Sequence, residues 1–185
     1  MNMFLRIVLV YFKSFFRARI GVFDTCISNF RVWLTDQDAF RHMTNSRYFS
    51  LTDVCVIDLM LRAGIWKELN KRRIVPAIVY EDLLLLRMLH FPERFFVQTR
   101  ILGWDERYIV VGHVFTRADQ SVTGEGFTIA RFVTTRGRKV ATAEVAQFLG
   151  LPSEAPLPPL AQGVLDRVRS GYGLSALMRP ADAIS

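Results

Sequence analysis

A chain of 185 residues fits one domain with appendages, and 51% apolar residues, with 15 Phe among them, supply a hydrophobic core without staples. The 22% charged content argues against a disordered chain, and a net charge of +7 without a long Lys/Arg run argues against a nucleic-acid-binding tail. A basic surface of this kind serves solubility, an anionic membrane or a phosphate-bearing small molecule.

Met1 to Phe16 is apolar apart from Asn2, Arg6, Lys13 and Ser14, and Arg17 and Arg19 follow. Its uninterrupted apolar part, Ile7 to Phe12, is far short of the roughly 20 residues that span a bilayer. It lacks the long apolar stretch and small-residue cleavage site of a signal peptide. Two readings stand: a helix packed on the domain, or peripheral membrane contact through residues 1–20 on an anionic surface. Residues 1–23 therefore form an N-terminal segment, 24–150 the domain, and 151–185 a Pro-rich C-terminal tail with a short helix.

Thr25 to Leu34, with alternation at Phe30, Val32 and Leu34, reads as a strand. A polar stretch from Asp36 to Tyr48 follows. Asn45 is placed to cap a helix from about Ser46 to Ala63, and Gly64 is placed to end it. That helix is apolar nearly all round, so it is a buried helix. Its cover is expected from a sheet on one side and from the termini and a second subunit on the rest. Strands are expected over Pro76–Leu89, Phe95–Leu102, Tyr108–Thr116 and Phe127–Thr135, with Gln120–Gly126 as a polar loop, in an antiparallel meander. Ala141–Leu149 reads as a short helix, Gly150–Pro159 as a linker or surface-hugging tail, and Ala161–Arg169 as a last helix turn or two. The layout is α+β, a single sheet with a central helix.

Cys26 and Cys55 have neither CxxC nor metal-ligand spacing; Cys55 reads as an inert buried thiol, and a reducing, cytoplasmic setting is the simplest reading. Chemistry concentrates in the Asp36–Tyr48 stretch. Asp38, just beyond a strand, reads either as a partly desolvated base or nucleophile or as an ordinary turn aspartate. Asp36 competes with it, because alternation in an extended segment would put both on one face. His42 reads as a proton shuttle, a positioning donor or a structural histidine. Asn45 is explained by capping and Tyr48 by core packing. Asp53, inside the helix, needs a partner if buried. Free amides and the positive dipole end of the helix should lie near Asp38, an arrangement suited to holding an oxyanion in acyl transfer.

The run Asp38-x3-His42-x2-Asn45-x2-Tyr48, with Asp53 beyond it, resembles the motif of the hotdog-fold acyl-CoA thioesterases of the 4-hydroxybenzoyl-CoA thioesterase type. The phrases His42-Met43-x-Asn45-x-Arg47-Tyr48 and Leu102-Gly103-Trp104-Asp105-Glu106-Arg107 resemble the thioesterase-superfamily-member-6-like branch. The resemblance covers about residues 24–150. It implies the hotdog fold, an antiparallel sheet wrapped around a central buried helix. It implies hydrolysis of an acyl-CoA to free acid and CoA, with coenzyme A as part of the substrate and neither a separate cofactor nor a metal. Asp38 matches the catalytic carboxylate, while Asn45 and Tyr48 match residues that shape the site beside His42. It further implies active sites at the interface of a homodimer or homotetramer. Two positions depart from the pattern: Arg41 stands where many members have Gly, and Thr44 where many have Asn. Arg87, Arg94, Arg131 and Arg136 are candidates for the phosphates of CoA. The alternative is a non-catalytic acyl- or lipid-binding module at a membrane surface; a hotdog dehydratase fits the Asp and His spacing less well.

Overall fold

The computed structural model describes residues 3–14 and 16–171; the expectations for residues 1–2, 15 and 172–185 lie outside the described residues. In chain order the elements are α1 (Met3–Ser14), β1 (Cys26–Arg31), a 3-10 turn (Leu34–Asp36), α2 (Asn45–Arg62), α3 (Ile65–Lys71), β2 (Ile74–Leu85), β3 (Arg94–Trp104), β4 (Ile109–Arg117), β5 (Val122–Thr134), β6 (Lys139–Val140), α4 (Thr142–Leu149) and α5 (Pro159–Ser170).

The six strands form one antiparallel sheet in the order β1-β3-β4-β5-β2, with β6 beside β5. Strands β3 to β5 are the expected meander. The expectation fails for β2, which pairs with β5 rather than with β3, so residues 86–93 cross from the β2 edge past β5 and β4 to β3, which lies inside the β1 edge. Pro76 marks the β2 edge, because a residue without an N–H is tolerated there and not in a central strand. The expected loop at Gln120–Gly126 is also corrected. β5 already begins at Val122, and the turn is closed earlier, where Gln120 takes φ 66 and Arg117 N–H donates to the Ser121 carbonyl.

Alternation decides the two faces of the sheet. In β3 the side chains of Phe95, Val97, Thr99 and Ile101 are all buried. Phe95 and Val97 pack with Tyr48, Leu51 and Cys55 of α2, and Ile101 packs with Leu59 and Met60. Burying one such Leu or Phe side chain contributes about 1.5–3 kcal/mol. The opposite face holds Val110 and Ile129 with Ala161 and Leu165 of α5. The tail after residue 150 is therefore a strap across the sheet, and its helix is longer than the turn or two expected.

Gly103 makes the strap possible: a Cβ there would lie 2.7 Å from the Ala155 carbonyl oxygen. Trp104 and Ala155 exchange backbone hydrogen bonds of 3.0 and 3.1 Å, Trp104 Nε1 donates to the Ser153 carbonyl, and Arg169 pairs with Asp105. The Leu102–Arg107 phrase is thus the clasp of the C-terminal arm. Gly64, at φ 76, ends α2 as expected. α1 packs against α2, the packed-helix reading of the N-terminus. Cys26 and Cys55 are unpaired and buried, and burial pushes both thiols up, Cys26 to about 11.

Candidate active site

The loop between β1 and α2 is a small hairpin stitched to the crossover segment. Gln37 bridges Met43, Asp38 N–H donates to the His42 carbonyl at 3.0 Å, and Arg41 N–H donates back to the Asp38 carbonyl at 3.1 Å. Met43 N–H donates to the Leu89 carbonyl, and His42 bridges His90, whose Nδ1 lies 3.2 Å from the Arg41 carbonyl oxygen. Arg41 closes the hairpin with φ 64, a left-handed conformation that favours Gly. That explains why a Gly is at home at this position in the motif the chain resembles.

Asp38 is 30% exposed. Its Oδ1 accepts the Phe40 N–H at 2.8 Å, and its Oδ2 lies 3.2 Å from His42 Nδ1. The Phe40 ring, 80% exposed, stacks beside the His42 ring. Asp36 behaves differently. The segment turns through a 3-10 helix instead of running extended, so alternation does not apply. Asp36 is fully buried, pairs with the buried Arg6 of α1, lies 3.5 Å from Arg47 Nε and accepts the Trp33 N–H. Its carbonyl accepts the Thr44 N–H. It is the strut of the loop, and Asp38 is the accessible carboxylate.

The capping expectation is corrected by one residue. Thr44 is the N-cap and Asn45 the first helical residue, with its side chain exposed. No side chain caps α2, because the Thr44 hydroxyl turns to the Ser46 hydroxyl at 2.7 Å. The first-turn amides are therefore not taken up by a side-chain cap. Tyr48 sits in the core, edge-on to Phe115 at 5.3 Å, and burial raises its phenol to about 12. The structure thus brings Asp38 and His42 together and leaves Asn45 and Tyr48 on the first turn of the adjoining helix.

An apolar cavity of about 390 Å³ lies between α2, α3 and the sheet, lined by Val56, Ile57, Met60, Pro76, Ile78 and Ala130 among others. Asp53, an exposed residue of α2, is among the residues that line it. Partial desolvation by its apolar neighbours, and secondarily the Glu81 carboxylate, raise Asp53 to about 6 although the residue reaches solvent. The fully buried aspartate of α2 is instead Asp58, held by Ser28 Oγ and Arg17 Nη1, each at 2.6 Å. Behind the cavity a polar chain crosses the sheet: Thr99 to His113, His113 to Thr128, and both Thr128 and Thr52 to Glu81. Sequence reasoning singled out neither His113 nor Glu81, since an isolated polar residue in a strand carries no spacing signal. Among the described residues, no group of three or more His, Cys, Asp or Glu converges as a metal-binding set would.

Residues 32–160 match the family described as Thioesterase-like superfamily. Among solved structures the chain is similar to YbaW, a probable thioesterase from Escherichia coli, at 13% identity over 66% of this chain and 95% of that one, TM-score 0.62. It is similar to the BH1999 gentisyl-coenzyme A thioesterase at 19% identity over 66% of this chain and 99% of that one, TM-score 0.60. It is also similar to a mutant 4-hydroxybenzoyl CoA thioesterase complexed with 4-hydroxybenzoyl CoA, at 15% identity over 68% of this chain and 97% of that one, TM-score 0.61. At these identities the likeness establishes the fold, the hotdog arrangement of a sheet wrapped around one helix.

Proposed function

The chain belongs to the thioesterase-like superfamily, and from that membership we propose that it hydrolyses an acyl-CoA thioester with Asp38 as the catalytic carboxylate. The observation that carries this reading is the placement of Asp38. It is a solvent-reachable carboxylate, oriented by the Phe40 amide and His42, in the loop leading directly into a helix that has no side-chain cap.

The reaction divides between the two parts. Asp38 accepts a proton from water as the water oxygen attacks the thioester carbonyl carbon, and first-turn amides of a helix stabilise the developing oxyanion. The C–S bond then breaks, and the proton held by Asp38 passes to the departing CoA thiolate. Direct attack by Asp38 is the alternative course, through an acyl-enzyme anhydride that water opens. His42 keeps the carboxylate oriented in either case. Asn45 and Tyr48 shape the entry to α2. Exposed Arg41, Arg87, Arg94 and Arg136 and partly buried Arg131 are cations available to the phosphates of CoA.

The dimer belongs to the same reading. β2 is an edge strand carrying exposed Val75, Ile78, Val79 and Leu84, a template for a second copy of the strand. The decisive experiment is a thiol-release screen over short, medium, long and aryl acyl-CoAs, with wild type beside Asp38→Asn. Turnover of at least one substrate, lost about 10²-fold or more in the variant, is expected. Absence of turnover over the whole panel defeats the function, and unchanged turnover in Asp38→Asn defeats the residue assignment.

A further inference from the structure

α1 presents two unlike sides. At 100° per residue, Arg6, Ile7 and Val10 point towards the domain. Arg6 is 1% exposed and reaches Asp36, while Ile7 lines the apolar cavity. Leu5, Leu9 and Phe12 fall on the opposite side within a narrow stripe and are 47%, 38% and 61% exposed, and Phe16, in the turn just beyond the helix, is 91% exposed. Among the described residues nothing covers this Leu and Phe stripe, which sets it apart from scattered apolar surface residues.

The charge around the stripe says what covers it. Residues 1–23 contain Arg6, Lys13, Arg17 and Arg19 and no Asp or Glu. Lys13 is exposed beside the stripe, and Arg19 donates to a neutral partner, the Leu61 carbonyl, at 3.1 Å. An apolar stripe flanked by cations without acids matches the interfacial zone of an anionic bilayer, where apolar side chains enter the acyl boundary and cations meet headgroup phosphates. A second copy of the chain fits less well. Like charges on the flanks of two copies would repel, and a stripe on a 12-residue helix falls well short of the ~800 Å² per partner of a standard interface. The helix also does not span: no helix among the described residues is long and apolar enough to cross a membrane.

We propose that α1 is a peripheral docking helix that lies in the surface of an anionic bilayer, with Leu5, Leu9 and Phe12 inserted, Phe16 following from the adjoining turn, and Lys13 and Arg19 at the headgroups. The inner side of the same helix grips Asp36, two residues before Asp38. Docking therefore holds the Asp38 loop roughly one helix diameter, about 10 Å, from the lipid. This places the candidate active site where acyl chains partition.

The test is vesicle flotation of the full chain, using mixed phosphatidylcholine–phosphatidylserine vesicles and pure phosphatidylcholine vesicles, at low and high salt. Wild type is expected to float with the anionic vesicles, less at high salt and less with the neutral ones. Leu9→Glu/Phe12→Glu is expected to lose at least about tenfold in partitioning. Because both side chains face solvent, its melting temperature should match wild type, and so should its turnover of any short, water-soluble acyl-CoA that wild type hydrolyses. Lys13→Glu should weaken binding to anionic vesicles alone. Failure of wild type to float, equal flotation on both lipids, or undiminished flotation of the double variant overturns the proposal. So does an oligomer of wild type that the double variant dissolves while neither protein floats, since the face would then belong to a second copy. None of these outcomes depends on thiol release, so the docking and the hydrolysis fail or stand separately.

Discussion

Asp38 Oδ2 and His42 Nδ1 lie 3.2 Å apart, and the same two residues are joined by a backbone hydrogen bond of 3.0 Å across the hairpin. The imidazole is therefore held by the main chain at the spot where it orients the carboxylate. Removing it should cost turnover and leave the fold alone. His42→Ala is expected to lower kcat roughly five- to tenfold, about 1 kcal/mol for a part-exposed contact with a charged group, with the melting temperature little changed. His42→Gln, which keeps a donor, should recover part of that loss. A His42→Ala variant with wild-type kcat would show that Phe40 N–H alone positions Asp38.

The pair Arg6–Asp36 works through the fold. Both side chains are essentially inaccessible, and Arg6 Nε and Nη1 have no hydrogen-bond partner among the described residues, so this contact is incompletely satisfied there. Removing Asp36 leaves the Arg6 charge buried and uncompensated, and removing Arg6 leaves the buried Asp36 carboxylate only the more distant Arg47. Arg6→Ala and Asp36→Asn are each expected to lower unfolding free energy by about 3 kcal/mol in urea titrations. The double variant Arg6→Ala/Asp36→Asn should lose clearly less than the sum. Strict additivity would mean that the two residues do not act as a pair.

The legible part of this molecule was what periodicity and local chemistry encode. The all-round apolar pattern of residues 46–63 marks a helix wrapped by other elements, and α2 is that helix. Asp38 and His42 were legible because they sit close together in sequence. Two kinds of information were not. Strand order depends on which edges meet, and nothing in Pro76–Leu89 says that it pairs with β5 across the sheet. The roles of Asp36 and Asp38 were separated by a partner 30 residues away, Arg6, which turns one aspartate inwards and leaves the other outside. The Leu102–Arg107 phrase was visible as a motif, and its meaning lay in the arm that closes over Gly103.

That closure is testable at one atom. Gly103→Ala puts a Cβ against the Ala155 and Pro156 carbonyl oxygens, at 2.7 and 2.9 Å, both backbone and unable to yield cheaply. Stability should fall by about 1–3 kcal/mol, and the segment at 151–158 should become the first site of limited proteolysis. Unchanged cleavage there would mean that the arm is held mainly by α5.

The β2 edge carries the assembly prediction. Ile78 and Leu84 are 46% and 58% exposed on the strand that ends the sheet. Wild type is expected to run with the mass of a dimer, or of a pair of dimers, in light scattering coupled to gel filtration. Ile78→Lys/Leu84→Lys should shift it to a monomer, since lysines on an edge strand oppose strand pairing. If the lysine variant keeps the wild-type mass, the contact lies on another surface.

His113 gives the pH prediction. It is 1% exposed, with Nδ1 and Nε2 each 3.1 Å from a threonine hydroxyl, Thr99 and Thr128. Thr128 spends its own hydrogen on Glu81, at 3.0 Å. Its oxygen therefore accepts from His113 Nε2–H, and Nδ1 accepts from the Thr99 hydroxyl, so the neutral ring is the form that satisfies the network. Burial depresses the imidazole from 6.5 to about 3. The unfolded chain consequently binds a proton between pH 6.5 and 3 that the folded chain refuses, and stability falls as pH falls through that window. About 3 kcal/mol should be lost between pH 6.5 and pH 4 on this account. Asp53, raised to about 6 from 3.8, has the opposite sign: the folded chain holds the extra proton, so its contribution declines as pH rises from about 4 to 6. Subtracting a His113→Gln stability–pH curve from that of wild type isolates the histidine, and Asp53→Asn isolates the aspartate. His113→Gln should flatten the acid-side loss even though it is less stable at pH 7, whereas Asp53→Asn should gain stability near pH 7 and match wild type near pH 4. Parallel curves for wild type and His113→Gln would mean that the ring protonates in place, with the Thr99 hydroxyl rotating to accept its proton.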